Sequence, residues 1–162
     1  MKVSKEGATK SRSAELQIKS FVAKYEPKHR ALFHSVRKAM RKRFPSANEL
    51  VYDYPSSCVI GYSPTERGLE AVVAISTGAD GVRLIFNQAP ALPDPKKILL
   101  GSAKLTRYIQ IESSRTLIRP EVQALLEAAH DRAKTSLSPG GRGELIIKQK
   151  SARRQSKPKP KR

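Results

Sequence analysis

The stretch LPDPKKILLGSAKLTRYIQIES, residues 92 to 113, gathers the residue types of an anion site: an aspartate, a glycine with lysines on either side, and an arginine. A phosphate-binding loop requires a strand, a glycine-rich turn and then a helix whose N-terminal amides face the anion. Here Gly101 precedes an extended run, and Gly101 with Lys104 lacks the P-loop spacing, so a nucleotide fold of that type is excluded. Strand alternation sets Leu105, Arg107, Ile109 and Ile111 on one side and Thr106, Tyr108 and Gln110 on the other. Lys104 and Arg107 then face opposite ways and cannot easily clamp one ligand. Arg107, in phase with Ile109, can reach a carboxylate such as Asp94 or line a cleft. Asp94, Lys104, Arg107 and Tyr54 form the candidate ligand-binding set, against the plainer alternative of an arginine that ties the LPDP loop to the sheet.

Other chemistry-bearing residues are sparse. His29, His34 and His130 fit no metal-ligand spacing and read as surface histidines. A single cysteine, Cys58, forms no intramolecular disulfide, and its neighbours Val59 and Ile60 favour a core thiol over a nucleophile. Tyr52, Tyr54 and Tyr62 lie in neighbouring β-like runs, where they can stack on a base, line a pocket or serve as core edges. Glu49 and Asp53 share strand parity and project together. No catalytic residue is named, and the residues by themselves imply no cofactor.

Charge points more clearly to a partner. The chain of 162 residues carries a formal +18. Residues 139 to 162 contribute +8 of this and residues 1 to 13 another +3, so most of the excess sits on the ends. Such a field raises encounter rates with polyanions and supports nonspecific nucleic-acid binding. Between Pro27 and Arg43 stand seven basic residues and no acid. At 100° per residue, Arg30, His34, Arg37, Lys38 and Arg41 fall opposite the apolar face of Leu32, Val36, Ala39 and Met40. Arg30, Arg37, Lys38 and Arg41, with Arg153 and Arg154 of the tail, are the nucleic-acid candidates. No zinc finger, RRM signature or helix-turn-helix is present.

The elements follow from periodicity. Residues 1 to 13 and 139 to 162 are expected to be disordered, apart from a β-like piece at Leu145 to Ile147. A domain is expected over 14 to 138. Its first helix starts after Ser13 as N-cap, its second at Pro27, and β-like runs follow at 50–54, 58–62, 69–76, 82–87 and 105–112. SPTERG and TGADG are turn chemistry, so the middle strands form an antiparallel meander, and Pro120 opens a last helix. The expectation is an α+β domain with two N-terminal helices, a mainly antiparallel sheet of about five strands, and a C-terminal helix, the helices covering one face. The chain lacks an apolar run of membrane-spanning length and a secretory h-region, which places it in the cytoplasm with no membrane partner.

The order NELVYDYPSSCVIGY, an apolar strand pair, LIFNQAPALPDPKKILLGSAKLTRYIQIES and a short alanine-rich helix resembles the YdhG-like family of small bacterial domains of unknown function. The resemblance covers roughly residues 15 to 135. It implies a compact α+β domain, and because no catalytic set stands out among the residues the expected role is non-enzymatic binding. One branch is described as frataxin-like and linked to intracellular iron delivery, which is the alternative function. That role would need carboxylate or imidazole ligands, for which Glu49 and Asp53 are the candidates. The basic second helix departs from this expectation, because a cationic field repels a ferrous ion.

Overall fold

A computed structural model of the chain describes residues 5–133, 137 and 143–149, with side chains from residue 11 onward. Two helices come first, α1 at Lys5–Val22 and α2 at Pro27–Arg43. Proline suits the first turn of α2, where its missing N–H is not needed. Strands β1 (Asn48–Tyr54), β2 (Ser57–Ser63), β3 (Val73–Gly78) and β4 (Gly81–Phe86) follow as antiparallel hairpins, and β5 (Arg107–Ile111) pairs with β4 after a long excursion. Helix α3 is Pro120–Asp131, and strand β6 is Leu145–Gln149. The sheet has six strands in the order β5-β4-β3-β2-β1-β6, with β6 parallel to β1 and the rest antiparallel.

The register explains the core. Val51, Ile60, Ile75, Leu84 and Ile109 lie in one row across five strands, on the side where Ile18, Phe33, Val36, Met40, Leu125 and Leu126 pack from the helices. The α+β class and the single helix layer are as the sequence predicts. The predicted alternation of β5 also holds: Ile109 and Ile111 are buried, whereas Tyr108 and Gln110 on the other side are half-buried.

Four features differ from expectation. The sheet has six strands rather than five, because the β-like piece in the predicted tail joins it: Leu145 and Ile147 stand beside Glu49 and Val51 and pack against the core. An unpaired β1 would otherwise expose a row of backbone donors and acceptors. Helix α1 begins eight residues before Ser13. Each residue added to an existing helix contributes one hydrogen bond, and no proline stands in the way. Residues 69–72 do not belong to β3, since Gly68–Glu70 forms a 3-10 turn that leaves Leu69 exposed. Finally, Leu100 exchanges both backbone hydrogen bonds with Tyr108, so the 87–106 loop folds back to cover part of the outer edge of β5. The other predicted disordered residues, 1–4 and 150–162 among them, lie outside the described residues.

The contribution of β6 is directly testable. A chain ending at residue 138 loses β6 and the Glu49 N–H to Glu144 carbonyl bond. It is expected to unfold at lower urea concentration than a chain ending at residue 150, which should match the full chain.

Candidate functional site

The densest polar chemistry lies where α1, α2, β1 and β2 meet. Glu49 is in phase with Val51 and therefore faces the helices, where its side chain is only 7% exposed. A carboxylate in such a place needs partners. The Arg37 guanidinium supplies them, donating from Nε to Oε2 and from Nη2 to Oε1, both at 2.9 Å. The same guanidinium grips Glu15 of α1, through Nη1 to Oε1 at 2.6 Å and Nη2 to Oε2 at 2.9 Å. Tyr62, fully buried on β2 directly across from Glu49, donates its hydroxyl to Glu49 Oε2 at 2.9 Å. Arg41, one turn after Arg37, stands 3.6 Å from Glu49 and 3.7 Å from Glu15. Two cations thus face two anions.

Proton affinities follow from this geometry. Burial alone would pull the Arg37 guanidinium down, but the bonds from Glu15 and Glu49 overcome it and hold the group above its ordinary value. Glu15 is lowered, chiefly by its hydrogen bond to Arg37. Burial, reinforced by the Glu49 charge, pushes the Tyr62 phenol well up. His34, also beside the cluster, is lowered by burial and by the Arg37 charge. Near neutrality Arg37 is thus held cationic and Glu15 anionic, as fits an anchoring cluster.

The cluster forms the inner wall of a groove of about 1350 Å³ between α1, α2 and β6. Lys38, Arg41 and Lys42 line it from α2. Among the described residues no carboxylate lies within ion-pair distance of Lys38 or Lys42, and both are exposed. The four α2 cations expected on a solvated face therefore divide. Lys38 and Arg41 are exposed as predicted. Arg37 is a correction: it is 6% exposed, because Glu49 of β1 and Glu15 of α1 close over its guanidinium. Arg30 is half-buried and donates to the Ala23 carbonyl at 2.8 Å, closing the end of α1. Arg153 and Arg154 lie outside the described residues.

The ligand-binding set of Asp94, Lys104, Arg107 and Tyr54 does not converge. Asp94 accepts the backbone N–H groups of Ile98 and Leu99 and so shapes its own loop. Arg107 donates to the adjacent Thr106 carbonyl at 3.0 Å; it neither faces an empty cleft nor ties the LPDP loop to the sheet through Asp94. Lys104 is exposed in a bend before β5. Tyr54 lies four strands away on β1, stacked on Tyr52.

The iron candidates also part company. Both Glu49 oxygens are taken by Arg37, with Tyr62 on one of them, and Asp53 is buried with the Lys24 ammonium 4.0 Å away. Among the described residues no three His, Cys, Asp or Glu side chains are grouped to hold a metal ion, so the residues present do not fit an iron site. Cys58 is buried, and burial pushes its thiol up to about 12, which removes the thiolate a nucleophile needs. Sequence reasoning missed Glu15 altogether and took Tyr62 as one of three strand tyrosines without linking it to Glu49. A usable signal was the phase of Glu49 with Val51, since a carboxylate on a core-facing strand position demands a buried cation and donor nearby. No described helix is long and apolar enough to cross a membrane. Comparison of the chain with protein-family models, curated proteins and solved structures returns no match.

Two outcomes check this cluster. Arg37→Ala strands Glu49 in the interior and is expected to cost about 3–5 kcal/mol in chemical denaturation, whereas replacing Arg37, Glu15 and Glu49 together with apolar residues should recover most of that loss. Because the folded-state affinity of Glu15 for a proton is lowered, its contribution is present above its ordinary value of 4.5 and is lost as pH falls through the lower folded value. Glu15→Gln should therefore flatten the acid side of the profile of melting temperature against pH.

Proposed function

We propose that this chain is a YdhG-like, non-enzymatic binding domain of the cytoplasm. Its basic ends and the exposed cations of α2 make nonspecific, salt-sensitive contacts with nucleic acid or another polyanion. The carrying observation is the division of the α2 cations. Arg37 and Arg30 serve the fold and Arg41 is shared between Glu15 and Glu49, whereas Lys38 and Lys42 line an open groove with no carboxylate within ion-pair distance of either among the described residues. Neutralised cations add little to a field, but unmatched ones release counterions from a phosphate backbone on binding. The chain's charge of +18 extends that field. The family assignment is supported by the motif order in the sequence and by the α+β layout. The non-enzymatic reading is supported by the dispersal of Asp94, Lys104, Arg107 and Tyr54 and by the way Arg37, Glu15, Glu49 and Tyr62 spend their polar atoms on one another.

The test is a fluorescence-anisotropy titration of a labelled single-stranded oligonucleotide over a range of salt concentrations. The full chain is compared with a chain ending at residue 150 and with a Lys38→Glu/Lys42→Glu variant. Binding by the full chain should weaken steeply with salt. Every phosphate-neutralising cation removed, whether with the tail or at the two lysines, should lower the log–log salt slope by about 0.7. Absence of binding by the full chain at low salt, or a slope that neither change alters, would overturn the proposal.

A further inference from the structure

Among the described residues, no α-helix packs on one face of the sheet. On that face the register sets two rows across β1 to β5: Leu50, Gly61, Ala74, Ile85 and Tyr108, then Tyr52, Val59, Ser76, Arg83 and Gln110. The 3-10 segment folds over the β1–β2 side of this face, with Ala71 against Gly61 of the first row and Gly68 against the Tyr52 hydroxyl of the second. Away from this cover the second row is partly open, with Tyr52, Val59, Arg83 and Gln110 half-buried and Ser76 buried between them, and Tyr54 at the hairpin end beyond it is exposed. Small residues, Ser57, Ser76 and Gly78, make its floor on β2 and β3.

Planar groups stand on either side of this floor. On β1, Tyr52 and Tyr54 stack with rings 6° from parallel and centroids 6.0 Å apart, and Tyr54, the outer of the two, is 36% exposed. On β4, the Arg83 guanidinium lies 4.2 Å from the Tyr108 ring centroid and is held in plane by Gln110 Oε1 at 3.3 Å. Asp80 balances Arg83 only at 3.7 Å, and its own side chain is 85% exposed. Three strand spacings, roughly 14 Å, separate the two platforms.

We propose that this open half-face is a stacking platform for the bases of a single-stranded nucleic acid, with Tyr54 and the Arg83–Tyr108 pair as its two planes. The proposal rests on the polyanion reading above and gives it a second part: the basic groove and ends attract phosphate, and the sheet face receives unstacked bases. Aromatic rings and guanidinium planes both stack on bases, and neither requires a particular sequence. A duplex keeps its bases inside and cannot use such a platform. Charge complementarity favours this occupant over an apolar partner, since the face belongs to a chain of +18 and carries the Arg83 guanidinium.

The full chain is titrated with a labelled oligodeoxythymidylate and, in parallel, with inorganic polyphosphate, which offers the charges without the bases. Tyr54→Ala is expected to weaken oligonucleotide binding about tenfold and to leave polyphosphate binding and the salt slope unchanged. Tyr54→Phe should keep the parent affinity, and Arg83→Ala should repeat the selective loss. Circular dichroism confirms that each variant is folded; Tyr54→Phe and Arg83→Ala carry the test if Tyr54→Ala is not. Equal affinity of the parent and both alanine variants for the oligonucleotide overturns the platform while leaving the polyanion reading in place. So does a parent dimer that dissociates on Tyr54→Ala, which would assign the face to a second copy of the chain. If the parent binds neither probe, the polyanion reading itself falls.

Discussion

The buried guanidinium of Arg37 is the constraint around which the rest of this molecule is arranged. A cation in that position is costly unless its donors are met, and here four hydrogen bonds reach two carboxylates from different elements. Those bonds tie α1 to α2 and α2 to β1, and the Tyr62 hydroxyl extends the link to β2. Apolar packing drives the layers together without choosing a register between them. A bidentate fork accepts few relative positions and so specifies how the helix pair sits on the sheet.

The same cluster sorts the charge of the chain. A helix with seven cations and no acid would repel its own compact state if all of them faced water together. Importing Glu15 and Glu49 from elsewhere neutralises the inner part of the row, while Lys38 and Lys42 keep their field at the groove. Structural and recognition roles are thereby separated on one helix, by as little as a single residue step.

The two faces of the sheet show a related division. The helix-covered face is apolar and closed apart from the Glu49 cluster and the buried Asp53 and Thr77 near the opposite end. The other face is only partly covered and is built from small residues between planar side chains. An antiparallel sheet tolerates one solvated face because its hydrogen bonds run within the sheet. That tolerance leaves half of this one free for contacts the fold does not need.

Much of the fold was legible in the residues. Pro27 and Pro120 marked helix starts, turn chemistry at SPTERG and TGADG marked the meander, and alternation in RYIQI assigned each β5 side chain to its face. These signals are local, and local periodicity carries them. The pairing of β6 with β1 and the burial of Arg37 were not legible, because both depend on segments far apart in the chain: Leu145 meets Glu49, and Glu15 meets Arg37. The wheel that placed Arg37 on a solvated face assumed one covered side, whereas Glu15 of α1 closes over that residue from beyond the sheet. The apparent anion site at residues 92 to 113 failed for the converse reason. Its residues are close in sequence, but Asp94 and Arg107 satisfy themselves on neighbouring backbone groups. The sequence by itself determined the class of fold, the meander and the excess of positive charge, since these depend on composition and short-range period. Only the tertiary structure decided which cations are structural and which remain available, because that depends on whether a carboxylate from another element reaches them.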